Sequence, residues 1–138
     1  MNIDDYIKEG FLQKILIDRV LIKKELAEAE YDLQKAQHAF DEEDYKWCII
    51  KCYCSMFHAS RALLFSTGLR ERRHFAISIV LENMNKQGKL ESRFLTDFSS
   101  AMSAREDADY HYKHSRETTV IILESAKEFM KKFKTMVK

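Results

Sequence analysis

Lys51, His58 and Arg61 stand at spacings of seven and three residues inside a stretch that is otherwise almost wholly apolar. On a helix those steps return to one side, so the three form a single seam. Charge on a buried helix is costly unless it is paired or wet, which makes this seam the first candidate for chemistry. It either bonds a neighbouring carboxylate or receives an anion. A second group, Arg70, Arg72, Arg73 and His74, lies just past the end of the same stretch. Taken alone the second group reads as a solvated connection, but Arg61 and His58 sit one to three turns back along the helix, which places the two groups to share one anion-binding surface of the kind guanidinium forks offer to phosphate. The third group runs from Ser103 to His114. In it Arg105 falls on an apolar stripe, Asp109 follows four residues later as a candidate ion-pair partner, and His111 stands between Tyr110 and Tyr112. Imidazole is the side chain able to give and take protons near neutral pH.

The element that positions the first group is a helix over residues 44–66, free of proline and glycine and stopped by Gly68. Its apolar residues occupy several rows. Ile50, Cys54, Phe57 and Leu64 form one, Ile49, Tyr53, Met56 and Leu63 another, and the small residues Cys48, Cys52, Ser55, Ala59 and Ala62 a third that admits a close neighbour. A helix apolar on most sides is a central one. Before it, Ile15, Ile22, Leu26, Ala29, Leu33, Ala36 and Phe40 predict a long amphipathic helix over residues 12–40. The acidic run 41–44 closes that helix and caps the next, and so short a connection makes the two antiparallel neighbours. Residues 69–74 read as a basic connection. A shorter helix on Ile77, Val80, Leu81 and Met84 ends at Gly88, a fourth begins near Glu91 or Ser92, and a fifth spans residues 117–137. Residues 118–123 are the one β-branched run open to a strand reading, and the spacing around them favours helix. The expected fold is all-α, an up-and-down bundle of four to five helices in one domain over residues 1–138.

Composition limits the functions available. A formal net charge of +1 gives no global basic field, so any nucleic-acid contact must rest on local patches. The three cysteines, Cys48, Cys52 and Cys54, lie on one helix without a zinc-knuckle layout and read as small thiols in a reducing compartment. Cys54 and His58, one turn apart, supply half of a metal site with no second pair in view, so neither metal nor cofactor is expected. The polar start of the chain is no signal peptide, and no run approaches the ~18 apolar residues of a membrane span. The expectation is a cytoplasmic protein without a membrane partner.

The block Cys52-Tyr53-Cys54-Ser55-Met56-Phe57-His58-Ala59-Ser60-Arg61-Ala62-Leu63-Leu64, the turn at Gly68 with the loop to His74, and Ala104-Arg105-Glu106-Asp107-Ala108-Asp109-Tyr110 resemble the HEPN superfamily, in particular its small stand-alone prokaryotic branch. The resemblance implies a helical bundle that dimerises and frequent pairing with a small nucleotidyltransferase in a toxin–antitoxin-like couple. It also implies, for many members, metal-independent ribonuclease activity through an arginine followed after four to six residues by a histidine. Arg105 and His111 match that spacing, with Asp107, Asp109, Tyr110 and Tyr112 as supporting residues. Residues six apart on an unbroken helix diverge by about 120°. The pair therefore requires a helix break near Asp109 or a histidine reaching across a dimer interface.

Three functions are open to such a chain. The first is a partner module of a nucleotidyltransferase, binding nucleotide or RNA through Lys51, His58, Arg61, Arg70, Arg72, Arg73 and His74. The second is a ribonuclease in which His111 takes the 2′-hydroxyl proton and Arg105 stabilises phosphate charge. The third is a helical homodimer whose charged seam is structural.

Overall fold

The computed structural model describes residues 1–137, which form six α-helices and a small two-stranded sheet. In chain order these are α1 (Ile3–Lys8), β1 (Leu12–Lys14), α2 (Arg19–Asp41), α3 (Tyr45–Ser66), β2 (Leu69–Glu71), α4 (Ala76–Lys86), α5 (Ser92–Tyr110) and α6 (Arg116–Met136). The architecture is an all-α bundle. Two local expectations are corrected. Residues 12–14 are a strand, and the long helix begins only at Arg19, where Asp18 caps it by accepting from the backbone N–H groups of Val20 and Leu21. Residues 69–71, expected to belong to a basic connection, are the partner strand. Residues 118–123 are helical, within α6.

The central position of α3 follows from its several apolar rows. It packs against α2, α5, α6 and α4, and thirteen of its residues are buried. The small row does what its size allows: Ser55 Oγ donates to the Ala29 carbonyl at 2.7 Å, and Ala29, Ala36, Cys52 and Ala59 are fully buried. Asp44 caps α3 by accepting from the Trp47 N–H, so the acidic run serves as the connection between antiparallel neighbours. An aromatic cluster of Phe94, Phe98, Phe129 and Phe133 fills the space between α5 and α6.

The sheet fixes the path of the chain beyond α3. Gly68, at φ +78°, turns the chain sharply, and a Cβ there would come within 3.4 Å of the Ile15 carbonyl oxygen. β2 then pairs antiparallel with β1, Gln13 opposite Arg70 and Leu12 opposite Glu71. Strand alternation sends neighbours to opposite faces. Arg70 is exposed, while Glu71 turns inward toward α3.

Candidate functional site

The seam of Lys51, His58 and Arg61 faces α2, where Glu25, Glu28 and Asp32 stand at i, i+3 and i+7 and so share one side of that helix. Glu25 takes two partners: Arg61 Nη1 donates to its Oε1 at 2.8 Å, and its Oε2 lies 2.7 Å from His58 Nδ1. Arg61 Nε lies 2.8 Å from Glu71 Oε2, at an angle outside hydrogen-bond geometry, and Glu71 Oε1 is buried with no hydrogen-bond partner among the described residues. Lys51 Nζ donates to Asp32 Oδ1 at 3.4 Å, and Asp32 is only 3% exposed. The three basic side chains are thus engaged with carboxylates of α2 and β2 and turned away from solvent. That pairing answers the cost of placing charge on a central helix.

The basic turn is different. Arg70, Arg72 and Arg73 are exposed, and among the described residues none of them pairs with a carboxylate. His74, next in the chain, lies against α3. Its Nε2 is 2.9 Å from the Tyr53 hydroxyl, and its ring is 4.6 Å from that of Phe57. The other side of this aromatic group belongs to Arg105. Its guanidinium lies 5.9 Å from the Tyr53 ring centroid and 5.8 Å from that of Tyr110, while its Nε contacts Asp109 Oδ2 at 3.1 Å. Burial raises the Tyr53 phenol above its ordinary value, and the Arg105 charge pulls partly the other way. Tyr53 therefore links residues 70–74 to the C-terminal half of α5. In the sequence it is only a member of an apolar row, and nothing in its spacing separates it from the core.

His111 lies elsewhere. Helix α5 ends at Tyr110, His111 is its exposed C-cap, and its Nδ1 is 3.1 Å from Asp107 Oδ1. Tyr112, at φ +58°, completes the turn and is 85% exposed. Asp107 and Asp109, two residues apart on a helix, point roughly 200° from each other. Each carboxylate holds its own partner, and among the described residues no contact joins Arg105 to His111. Asp107 instead borders a hollow of about 390 Å³ lined by Lys113, His114, Ser115 and Thr118 at the start of α6. The three groups thus occupy a carboxylate-bound seam, a basic turn joined to Arg105 through His74 and Tyr53, and the His111 corner.

The cysteines are free thiols. The hydrogen bond with Cys48 and then burial hold the Cys52 thiol well above its usual range, and burial, with Asp32 next, raises that of Cys54. Of the Cys54 and His58 half-site, His58 alone joins a cluster of possible ligand atoms, with Glu28 and Asp32. The α2 carboxylates escape a reading of the sequence because acidic residues on an amphipathic helix look like its solvent face. Their i, i+3, i+7 spacing opposite the basic seam is the available signal.

No helix among the described residues is long and apolar enough to cross a membrane. The model of the HEPN domain family matches residues 22–137. A UPF0332 protein of Archaeoglobus fulgidus is 29% identical over 114 residues, covering 81% of this chain and 91% of that protein. A candidate toxin of Methanocaldococcus jannaschii is 23% identical over 90 residues, covering 64% of this chain and 61% of its own length.

Proposed function

The chain belongs to the HEPN family, and from that premise we propose that it is the HEPN member of a toxin–antitoxin-like pair whose partner is a small nucleotidyltransferase. We propose that it binds the phosphates of RNA or a nucleotide through Arg70, Arg72, Arg73 and Arg105 and acts as a homodimer. The observation that carries the binding surface is the exposed trio of guanidinium groups with no carboxylate against them among the described residues. An exposed arginine already paired gains little from a phosphate, whereas unpaired ones exchange loosely held counterions for it. The Tyr53–Arg105 contact extends the surface with an aromatic face and a fourth guanidinium. His58, Arg61 and Lys51 support it from behind by holding α2 and β2 on α3. The likeness to a candidate toxin supports the pairing with an antitoxin partner.

The test is a fluorescence titration of a single-stranded RNA oligonucleotide over a salt series. Wild type should bind with clear salt dependence, and the Arg70→Ala/Arg72→Ala/Arg73→Ala variant should bind at least tenfold more weakly. Equal binding by both proteins overturns the surface. For the pair itself, expression should arrest growth, and co-expression of a nucleotidyltransferase encoded beside the chain should relieve it.

A ribonuclease reading draws on the end of α5 at Tyr110, which releases His111 from the helix and leaves it exposed, where a second protomer has access. RNA cleavage by wild type without added metal, abolished in both Arg105→Ala and His111→Ala, selects this activity.

A further inference from the structure

The charge of the α2–α3 seam is the reverse of what its α3 residues alone suggest. Four carboxylates, Glu25, Glu28, Asp32 and Glu71, gather around two permanent cations, Lys51 and Arg61. The surplus is negative, in a place where Asp32 is nearly inaccessible and Glu71 Oε1 has no hydrogen-bond partner among the described residues. We propose that this seam binds one transition-metal dication, Mn²⁺ or Zn²⁺, through His58, Asp32 and Glu28.

The orientation of His58 supports this. Its Nδ1 lies 2.7 Å from Glu25 Oε2. An ionised carboxylate only accepts, so Nδ1 is the nitrogen that donates to Glu25, and Nε2 is the nitrogen left to face a metal. Metal-binding histidines are characteristically held this way, with a carboxylate on the nitrogen that does not ligate. Nε2 is directed at Asp32 Oδ2, 3.9 Å away, a separation too long for a hydrogen bond. Lys51 occupies only Oδ1 of Asp32, and no hydrogen bond from a described residue reaches Oδ2. The ligand atoms of Glu28, Asp32 and His58 all lie within 4.8 Å of one another. A tetrahedral cation about 2.1 Å from each donor needs them about 3.5 Å apart. Rotation of the exposed Glu28 and a small movement of the imidazole close that difference. One imidazole with two carboxylates suits Mn²⁺ or Zn²⁺ better than Mg²⁺ or Ca²⁺, which favour oxygen donors alone. The dication cancels the surplus charge and ties α2 to α3.

The probe is Mn²⁺ titrated into the full chain and followed by electron paramagnetic resonance, with Zn²⁺ followed by calorimetry. The expected result is one site per chain, an imidazole-nitrogen coupling on bound Mn²⁺, and at least tenfold weaker binding in Glu28→Gln. Glu28 is exposed and holds no other partner among the described residues, so this variant keeps the fold. Asp32→Asn should abolish the site, and Glu28→Gln decides the matter even if Asp32→Asn does not fold. Absence of binding at millimolar metal overturns the proposal, as does binding without nitrogen coupling. Binding unchanged in Glu28→Gln, or lost in His111→Ala in its place, overturns it equally. None of these outcomes depends on RNA binding by the basic turn, which is read in a separate titration.

Discussion

The seam of Lys51, His58 and Arg61 and the turn of Arg70, Arg72 and Arg73 look alike as strings of basic residues, yet they occupy opposite electrostatic situations. The seam faces three acidic residues on α2 and one on β2, and its carboxylates outnumber its permanent cations. The turn projects from a two-stranded sheet with no carboxylate against it among the described residues. Glu71 shows how the two diverge. It sits in the middle of the basic run, but strand alternation turns it inward to Arg61 while Arg70 beside it goes outward. One acidic residue is thereby removed from the turn and added to the seam. The sign of a local run of charge is therefore a poor guide to the sign of the site it joins.

The sharpest way to break this comparison is to remove the carboxylate that serves two partners. Glu25→Ala removes the partner of both Arg61 Nη1 and His58 Nδ1 on half-buried side chains, and should cost about 3 kcal/mol in urea denaturation. A loss below about 1 kcal/mol would make the seam an ordinary solvated ion pair, no different from the surface.

The turn should respond in the opposite sense. Replacing Arg70, Arg72 and Arg73 together by alanine should leave stability within about 0.5 kcal/mol per site, since none holds an ion pair among the described residues. The same variant should reduce the slope of log affinity against log salt for single-stranded RNA by about 2, at roughly 0.7 per lost phosphate contact. A large stability loss, or an unchanged slope, would erase the contrast with the seam.

Arg105 sits between these extremes, with 35% of its side chain exposed and one carboxylate one turn away. Asp109→Ala should cost only about 0.5 kcal/mol. By freeing the guanidinium it should strengthen RNA binding, and weaker binding in this variant would assign Asp109 a direct role in the ligand site.

The smallest effect is on pH. Burial, and next the Asp32 charge, raise the Cys54 thiol in the folded chain. The stability due to its neutral form is then complete below the unfolded thiol value of about 8.5 and is lost as pH rises through the higher folded value. Thermal melts from pH 8 to 10 should show a shallower decline in Cys54→Ala. An identical decline would mean that Cys52, Tyr53 or other groups account for all of it.

Much of this molecule is legible without coordinates. Apolar rows on several sides of residues 45–66 require a central helix, and spacing, the acidic caps and the glycine stops bound its neighbours, because helical periodicity and capping are local properties. The ion pair of Arg105 with Asp109 is readable for the same reason, being a contact one turn apart. The strands are not. Three-residue strands carry almost no periodic signal, and β1 exists because β2 lies beside it more than fifty residues later in the chain. The seam's charge is only partly in reach: the spacing of Glu25, Glu28 and Asp32 is readable, but that they and Glu71 meet the seam is set by elements distant in sequence. Spacing reveals which side chains share a face of one helix; only the packing of a second helix and a strand against that face determines which charges meet there.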